Sequence, residues 1–110
     1  MNSNELKISF KTKLTEQACF GIFSKTTDSN MVEAAGYAGL DFIILDMEHG
    51  PATLEIMQNH VRAALVSNMF PIIRTKGVDT HAIGSALDTG ALGVQVTNVS
   101  NAAQAREAVN

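Results

Sequence analysis

The sequence predicts an α/β fold built on a parallel sheet. Short apolar runs alternate with longer segments in which apolar residues recur at helical spacing, a pattern typical of consecutive βα units. The runs are bounded by Gly, Pro or polar residues and are rich in Ile, Val and Phe, as buried strands are. They begin roughly 20 to 30 residues apart, the length of a compact βα unit. The four predicted strands are residues 19–23, 41–46, 70–74 and 93–99.

The segments after the first two runs carry separate helix signals. Asp28 or Ser29 can accept hydrogen bonds from the N–H groups that a helix start leaves open, and Gly39 can end that helix in a left-handed turn. Thr53 begins the second predicted helix, which ends near Asn68. Apolar residues at helical spacing give each helix one inward face. The predicted faces are Met31, Val32, Ala35 and Ala38, and Leu54, Met57, Val61 and Leu65.

The third and fourth runs are followed by similar signals. Asp79 caps the third predicted helix, and Gly90 lies just past its end. Ser100 or Asn101 begins the fourth, in which Asn101 and Gln104 have the spacing of a capping box, and this helix runs to the last residue. The inward face of the third helix is predicted to be Ile83, Ala86 and Leu87.

The first 17 residues are less regular than the rest. Leu6, Phe10 and Leu14 fit one face of a helix. Leu6, Ile8 and Phe10 fit the alternation of a strand equally well. We expect a short leading helix or tail over residues 1–17, with the main domain over residues 18–110.

The composition is that of a globular protein in the cytoplasm. The chain has 110 residues, 45% hydrophobic and 17% charged, enough for one domain with a core. A net charge of −3 without a basic run excludes a nucleic-acid partner. The apolar runs are too short for a membrane span, and residues 1–17 are too polar for a signal peptide. Cys19 has no second cysteine with which to form a disulfide, and we expect it to be buried.

Four parallel units fit either a small open doubly wound sheet or half of an eight-unit barrel, and periodicity does not decide between them. In both architectures ligands bind at the carboxyl ends of the strands. The second run ends with Asp46, followed by Glu48 and His49, and the third ends with Arg74. A carboxylate can orient an imidazole as a base, and a guanidinium matches the carboxylate of an acidic substrate. The pattern therefore suggests carbanion chemistry on a small oxo acid.

Structural interpretations of the same residues stay open. An Asp-x-Glu-His segment at a strand end also serves as a helix cap, a turn or a solvated loop, and Arg74 can simply form a salt bridge with a carboxylate. His60 and His81 lie inside predicted helices without a partner at ligand spacing, which indicates surface or packing residues. The glycines match no phosphate-binding pattern.

The sequence resembles the HpcH/HpaI aldolases, relatives of the citrate lyase β subunits, from about residue 20 to residue 108. The most specific block is an Ala-Gly pair before the second strand, a D-x-E-H-G-P segment after it, and an arginine that closes the next strand about two dozen residues later. The matching segments are FGIF at 20–23, AGLDFIILDMEHGP at 38–51, PIIR at 71–74, ALDTGALGV at 86–94 and NAAQAR at 101–106.

The resemblance implies a (β/α)8 TIM barrel, of which residues 18–110 would be the N-terminal half. It implies a class II aldolase, a lyase that cleaves or forms a carbon–carbon bond next to a 2-oxo acid, with Mg²⁺ or Mn²⁺ stabilising a pyruvate enolate, in a homo-oligomer. By position, His49 resembles the family's catalytic acid/base, Asp46 its catalytic partner and Arg74 the pyruvate-binding residue. Glu48 resembles a supporting carboxylate that does not touch substrate.

The chain also departs from the family pattern. The family's metal-ligating carboxylates follow the fifth and sixth strands, so we expect no metal ligand within residues 1–110. After Arg74, the usual Val-Pro-x-Asn-Asp-Pro is replaced by the residues from Thr75 to Thr80, and Val96-Thr97 stands in place of Val-Pro. These segments would border substrate. Two alternatives to a partial enzyme remain. One is a non-catalytic half barrel, either a remnant or a module that self-associates, and the other is a relative of the CoA-thioester lyases.

Overall fold

A computed structural model of the chain describes residues 2–47, 53–97 and 99–109. Within these ranges the strands form one parallel sheet in the order β1-β2-β3-β4, with helices between them, which confirms the predicted fold class. In chain order the elements are α1 (Ser3–Glu16), β1 (Gly21–Ser24), α2 (Ser29–Tyr37), β2 (Phe42–Asp46), α3 (Leu54–Val66), β3 (Phe70–Thr75), α4 (Thr80–Asp88), β4 (Gly93–Val96) and α5 (Ala102–Val109).

The polar residues predicted to cap helices do so. The side chains of Asp28, Thr53 and Asp79 each accept a hydrogen bond from a backbone N–H in the first turn of α2, α3 and α4. Gly39 and Gly90 have positive φ and follow the ends of α2 and α4, as a left-handed stop requires. These contacts satisfy N–H groups that helix formation leaves open, so they fix where each helix begins.

The first turn of α5 is a variant of the predicted capping box. The Gln104 N–H donates to the Asn101 side chain, as the motif requires. The Gln104 side-chain oxygen accepts from the Ser100 N–H instead of the Asn101 N–H. The helix therefore begins at Ala102, directly after the residue predicted to cap it.

The core lies between the sheet and α2, α3 and α4. Side chains of β2 and β3 meet side chains of the three helices there and exclude water, which is the main source of stability in such a layer. The buried cluster comprises Val32, Ile43, Leu45, Met57, Val61, Ala63, Ala64, Met69, Ile73, Ala86 and Ala91.

The predicted helix faces were too wide. In α2 the buried residues are Val32 and Gly36, and Met31 is 61% exposed, because α2 turns its small residues toward α3. Ala38, Leu54 and Leu87 are also exposed, because only a narrow stripe of each helix reaches the sheet. Cys19 is half-buried and precedes β1, so the prediction of a buried strand residue was wrong.

The leading helix α1 packs against the amino ends of the strands. Phe10 stacks on Phe70 with ring centroids 4.4 Å apart, and Phe42 lies 5.9 Å away in a tilted arrangement. Asp41 accepts hydrogen bonds from the Phe20 N–H and from Lys13 of α1. The Phe20 N–H is the main cause that lowers the pKa of Asp41; burial opposes it, and Lys13 lowers it further. The carboxyl ends of the strands lie at the opposite end of the sheet.

None of the helices in the described ranges has both the length and the apolar character that crossing a membrane requires.

Candidate functional site

An ion pair joins the carboxyl ends of β2 and β3. Asp46 and Arg74 are register partners in the parallel sheet, so their side chains leave neighbouring strands at the same height. Arg74 Nη2 lies 2.6 Å from Asp46 Oδ2, and Arg74 Nε lies 3.3 Å from Asp46 Oδ1. The Asp46 side chain is 1% exposed and that of Arg74 is 21% exposed. The carboxylate is therefore held inside the protein, with the guanidinium between it and solvent.

A third side chain reaches this pair from β1. The ring centroid of Phe23 lies 5.2 Å from the central carbon of the Arg74 guanidinium. Phe23 pairs with Ile44 in the sheet, and Asp46 follows Ile44 by two residues, so alternation along β2 puts Asp46 on the face that Phe23 shares. Phe23 is not among the site residues predicted from the sequence. The available signal was its position one residue before the end of a strand that runs beside Asp46.

Two of the predicted site residues, Glu48 and His49, lie outside the described residues. The structure brings together Asp46 and Arg74, the two predicted site residues that it does describe. The pairing of Asp46 with His49 stays a prediction. Arg74 does form a salt bridge, and Asp46 is the carboxylate concerned.

Arg74 carries the type of group that binds planar anions. A guanidinium has five N–H donors in one plane. Asp46 contacts the edge formed by Nε and Nη2, which fixes the orientation of the plane's other edge. A planar anion with two adjacent oxygens matches such an edge through paired hydrogen bonds.

Comparison with known proteins decides between the two architectures. The model of the HpcH/HpaI aldolase/citrate lyase family matches residues 19–110. The chain belongs to this family. A solved HpcH/HpaI aldolase from Desulfitobacterium hafniense superposes with a TM-score of 0.82 at 29% identity, over 90% of this chain and 39% of that one. The sheet is thus the half-barrel form of this family's fold and not an open doubly wound sheet.

Curated members of the HpcH/HpaI family give the same result. The 2-dehydro-3,6-dideoxy-6-sulfogluconate aldolase of Pseudomonas putida is 35% identical over 95 residues, which are 86% of this chain and 37% of that protein. The hydroxypyruvate/pyruvate aldolase of Roseobacter denitrificans is 35% identical over 101 residues, 91% of this chain and 40% of that protein. The chain therefore spans about two fifths of the length of these HpcH/HpaI relatives.

The resemblance to HpcH/HpaI aldolases implies a divalent metal ion, but the described side chains do not fit one. Across residues 2–47, 53–97 and 99–109, no three His, Cys, Asp or Glu side chains form a group that could hold a metal. Asp46 accepts hydrogen bonds from Arg74, and a guanidinium at this distance repels a second cation.

Residues that depart from the HpcH/HpaI pattern bind one another beside the site. The Thr97 hydroxyl donates to the Thr75 carbonyl oxygen at 3.0 Å and accepts from the Gly77 N–H at 2.9 Å. Gly77 has a φ of 66°, which a residue with a side chain rarely adopts. A proline in place of Thr97 has no hydroxyl to make either bond. The loop after β3 is thus tied to the end of β4 by contacts that the family pattern does not provide.

The two described histidines have different environments. His60 is fully buried, with Nε2 2.8 Å from the Thr26 carbonyl oxygen and Nδ1 2.7 Å from the Ser29 hydroxyl. Because a carbonyl oxygen can only accept, Nε2 carries a hydrogen and donates it. His81 is exposed on α4. His60 is therefore a packing residue that links α3 to the loop after β1, and the sequence interpretation of both residues is confirmed.

Proposed function

We propose that this chain supplies the oxo-acid-binding edge of a class II aldolase barrel, which cleaves or forms a carbon–carbon bond next to a 2-oxo acid. Its products in the cleavage direction are pyruvate, or a related oxo acid, and an aldehyde. The observation that carries the proposal is the bidentate contact of Arg74 with the buried Asp46. Membership of the aldolase/citrate lyase family supports the same reaction.

Arg74 is the proposed ligand for the carboxylate and oxo oxygens of the substrate. Asp46 restrains the guanidinium before substrate arrives, so less conformational freedom is lost on binding. When the carbon–carbon bond breaks, negative charge develops on the oxo oxygen. A positive charge that is already in position stabilises the transition state, in which this negative charge has developed, more than the ground state, in which the oxo group is uncharged. Catalysis requires this difference.

His49 is the proposed acid/base. It follows β2 by three residues in the sequence, and Asp46, the last residue of β2, contacts Arg74. A neutral imidazole can take the proton from the substrate hydroxyl as the aldehyde leaves. It can return that proton to the carbon of the departing oxo acid. In this proposal Asp46 orients the ring, and Glu48 supports it without touching substrate.

The divalent ion, Mg²⁺ or Mn²⁺, is included in the proposal only because the resemblance to the family implies one. When bound, it would polarise the oxo group as a Lewis acid. Because the family's metal-ligating carboxylates follow the fifth and sixth strands, we propose that its ligands come from a part of the barrel not contained in these 110 residues.

Retro-aldol activity tests the proposal. Pyruvate release from a 4-hydroxy-2-oxo acid is measured with Mg²⁺ or Mn²⁺ for this chain and for the product of the longest reading frame that contains it. We expect release by the longer product, and Arg74→Lys should lower its kcat/KM by about a hundredfold, because a point charge replaces a fork matched to two oxygens. Arg62→Lys on the exposed face of α3 is the matched control and should leave kcat/KM unchanged.

Other outcomes would contradict the proposal in distinguishable ways. A folded, inactive long product that self-associates through this half would favour the interaction module. Cleavage of an acyl-CoA substrate in place of the free acid would favour the thioester lyases. An active enzyme that tolerates Arg74→Lys would contradict the assignment of Arg74 while leaving the aldolase activity in place.

A further inference from the structure

Gln95 lies in one row with the Asp46–Arg74 ion pair across three strands of the sheet. It is the register partner of Arg74 in β4, as Asp46 is in β2. Register partners in a parallel sheet direct their side chains to the same face, so the Gln95 side chain leaves β4 on the face that carries Arg74. Arg74 therefore stands between a carboxylate on β2 and a carboxamide on β4.

The polar residues Gln95 and Thr97 at the end of β4 have different surroundings. The Thr97 hydroxyl has partners within the chain, because it bonds to the Thr75 carbonyl oxygen and the Gly77 N–H. The Gln95 side chain is exposed and makes no hydrogen bond to any residue of 2–47, 53–97 and 99–109. Contacts within the described chain therefore do not account for a carboxamide at this position.

The Gln95 carboxamide needs hydrogen-bond partners in a closed barrel. It lies on the face of the sheet opposite to Val94, which packs against the core shared with the helices. In an eight-stranded barrel, side chains on this opposite face fill the interior, where an unpaired polar group costs free energy. Gln95 is also next to the last residue of β4, at the end of the barrel where ligands bind. A ligand can supply the missing partner.

We propose that Gln95 is a further substrate-binding residue, whose carboxamide binds a hydroxyl group on the third carbon of a 2-oxo acid. The inference rests on the proposed binding of oxo acids by Arg74. When Arg74 holds the carboxylate and oxo oxygens, the third carbon is the nearest part of the substrate that it does not hold, and Gln95 is anchored one strand away, at about 5 Å. A carboxamide donates and accepts hydrogen bonds, as a hydroxyl does. The site then favours 3-hydroxy-2-oxo acids over those with an apolar third carbon.

Three ligands with one negative charge each separate the effect of the hydroxyl from that of size. Pyruvate has no substituent on its third carbon, hydroxypyruvate has a hydroxyl there, and 2-oxobutanoate has a methyl group of similar size. Each is titrated into the 110-residue chain at constant ionic strength. The NMR signals of the Arg74 Nε–Hε group and of the Gln95 side-chain NH₂ group report the two contacts.

Two variants remove the carboxamide. Gln95→Met keeps the length of the side chain without its hydrogen-bonding groups, and Gln95→Leu repeats the change with another shape. Gln58→Met, on the exposed face of α3, is the matched control. Denaturant midpoints should be alike in all variants, because substitution of an exposed side chain changes stability little.

The unaltered chain should bind hydroxypyruvate roughly three- to tenfold more tightly than 2-oxobutanoate, the effect of one added hydrogen bond. Hydroxypyruvate should also shift the Gln95 NH₂ signals further than 2-oxobutanoate does. Both Gln95 variants should lose the preference, so that the ratio of the two dissociation constants approaches one. Gln58→Met should match the unaltered chain. Equal weakening of all three ligands by the Gln95 variants would show a structural role and overturn the inference.

Failure of this inference differs from failure of the proposed function. If the unaltered chain binds pyruvate at Arg74 but does not distinguish hydroxypyruvate from 2-oxobutanoate, Gln95 does not bind the third-carbon substituent and the oxo-acid site stands. The same conclusion follows if the Gln95 variants keep the preference. If none of the three ligands perturbs the Arg74 signal, the oxo-acid site itself is refuted, and the role of Gln95 with it.

Discussion

The guanidinium of Arg74 contacts Asp46 side-on, with Nη2 2.6 Å from one carboxylate oxygen and Nε 3.3 Å from the other. The two partners differ in exposure, since Asp46 is buried and Arg74 reaches solvent. Because of this difference, removing one partner should cost a different amount of stability from removing the other. Water can replace a lost partner only where it has access.

Loss of Arg74 should therefore cost more stability than loss of the Asp46 charge. We expect Arg74→Ala to lower the free energy of unfolding by about 2 to 4 kcal/mol, because it removes a cationic partner from a carboxylate that water scarcely reaches. Asp46→Asn should cost about 1 to 2 kcal/mol, since water can solvate Arg74 and an amide oxygen still accepts. Urea unfolding at pH 7 measures both, and equal losses, or a larger loss for Asp46→Asn, would contradict the asymmetry.

Alanine substitutions at two helical glycines should change stability in opposite directions. A Cβ at Gly36 would overlap the Ser67 side chain where α2 crosses α3, whereas one at Gly84 in α4 meets nothing. Gly84→Ala should stabilise by about 0.5 to 1 kcal/mol through helix propensity. Gly36→Ala should destabilise by about 1 to 3 kcal/mol, and adding Ser67→Gly should recover much of that loss. Thermal unfolding of the variants decides, and stabilisation by Gly36→Ala would show that the helices can separate freely.

The two described histidines form another matched pair. His60→Leu should cost about 2 to 3 kcal/mol, because it leaves the half-buried Thr26 carbonyl and Ser29 hydroxyl without their hydrogen-bond partner. Ser29→Ala should cost about 1 kcal/mol through the loss of one of these bonds. His81→Leu, on the exposed side of α4, should change stability by less than about 0.5 kcal/mol. Chemical denaturation measures all three, and similar values for His60→Leu and His81→Leu would contradict the packing role of His60.

Asp41 should make stability depend on pH. Its pKa in the folded chain is lowered from 3.8, chiefly by the Phe20 N–H. The stabilisation is therefore fully present above the pKa of the unfolded chain and is lost as the pH falls through the lower, folded-state pKa. We expect Asp41→Asn to cost about 1 to 2 kcal/mol at pH 7, and this difference should shrink below about pH 4.

Urea unfolding at pH 7 and pH 3 provides the measurement for Asp41. Asp88→Asn is the control, since Asp88 is exposed and the described part of the chain offers it no hydrogen bond or ion pair. A difference between the unaltered chain and Asp41→Asn that stays constant down to pH 3 would show that the carboxylate charge is not the stabilising feature.

Local signals were enough to predict most of the fold. Asp28, Thr53 and Asp79 mark helix starts because a short polar side chain can bond to the first-turn N–H groups whatever surrounds the helix. The buried faces were less predictable, as Met31 and Leu87 demonstrate by their exposure. Which apolar residues of a helix reach the core depends on how the helix is rotated against its neighbours, and periodicity does not contain that rotation.

Some contacts of the candidate site could also be predicted from the sequence, and others could not. Asp46 and Arg74 were predictable because both lie at the carboxyl ends of strands in one parallel sheet, and register then brings them to the same height. Phe23 and the Thr97 contacts with Thr75 and Gly77 depend on side-chain directions across three different strands. A single sequence provides the residues for such contacts but not the register that joins them.

Pyruvate binding by Arg74 is the most direct test of the proposed oxo-acid site. Dissociation constants for pyruvate are measured by NMR titration of the unaltered chain, Arg74→Lys and Arg62→Lys, with unfolding curves to show that all three are folded. We predict at least about tenfold weaker binding for Arg74→Lys alone, because lysine cannot reproduce the planar fork that Asp46 holds. Equal affinity of all three proteins for pyruvate would contradict the account.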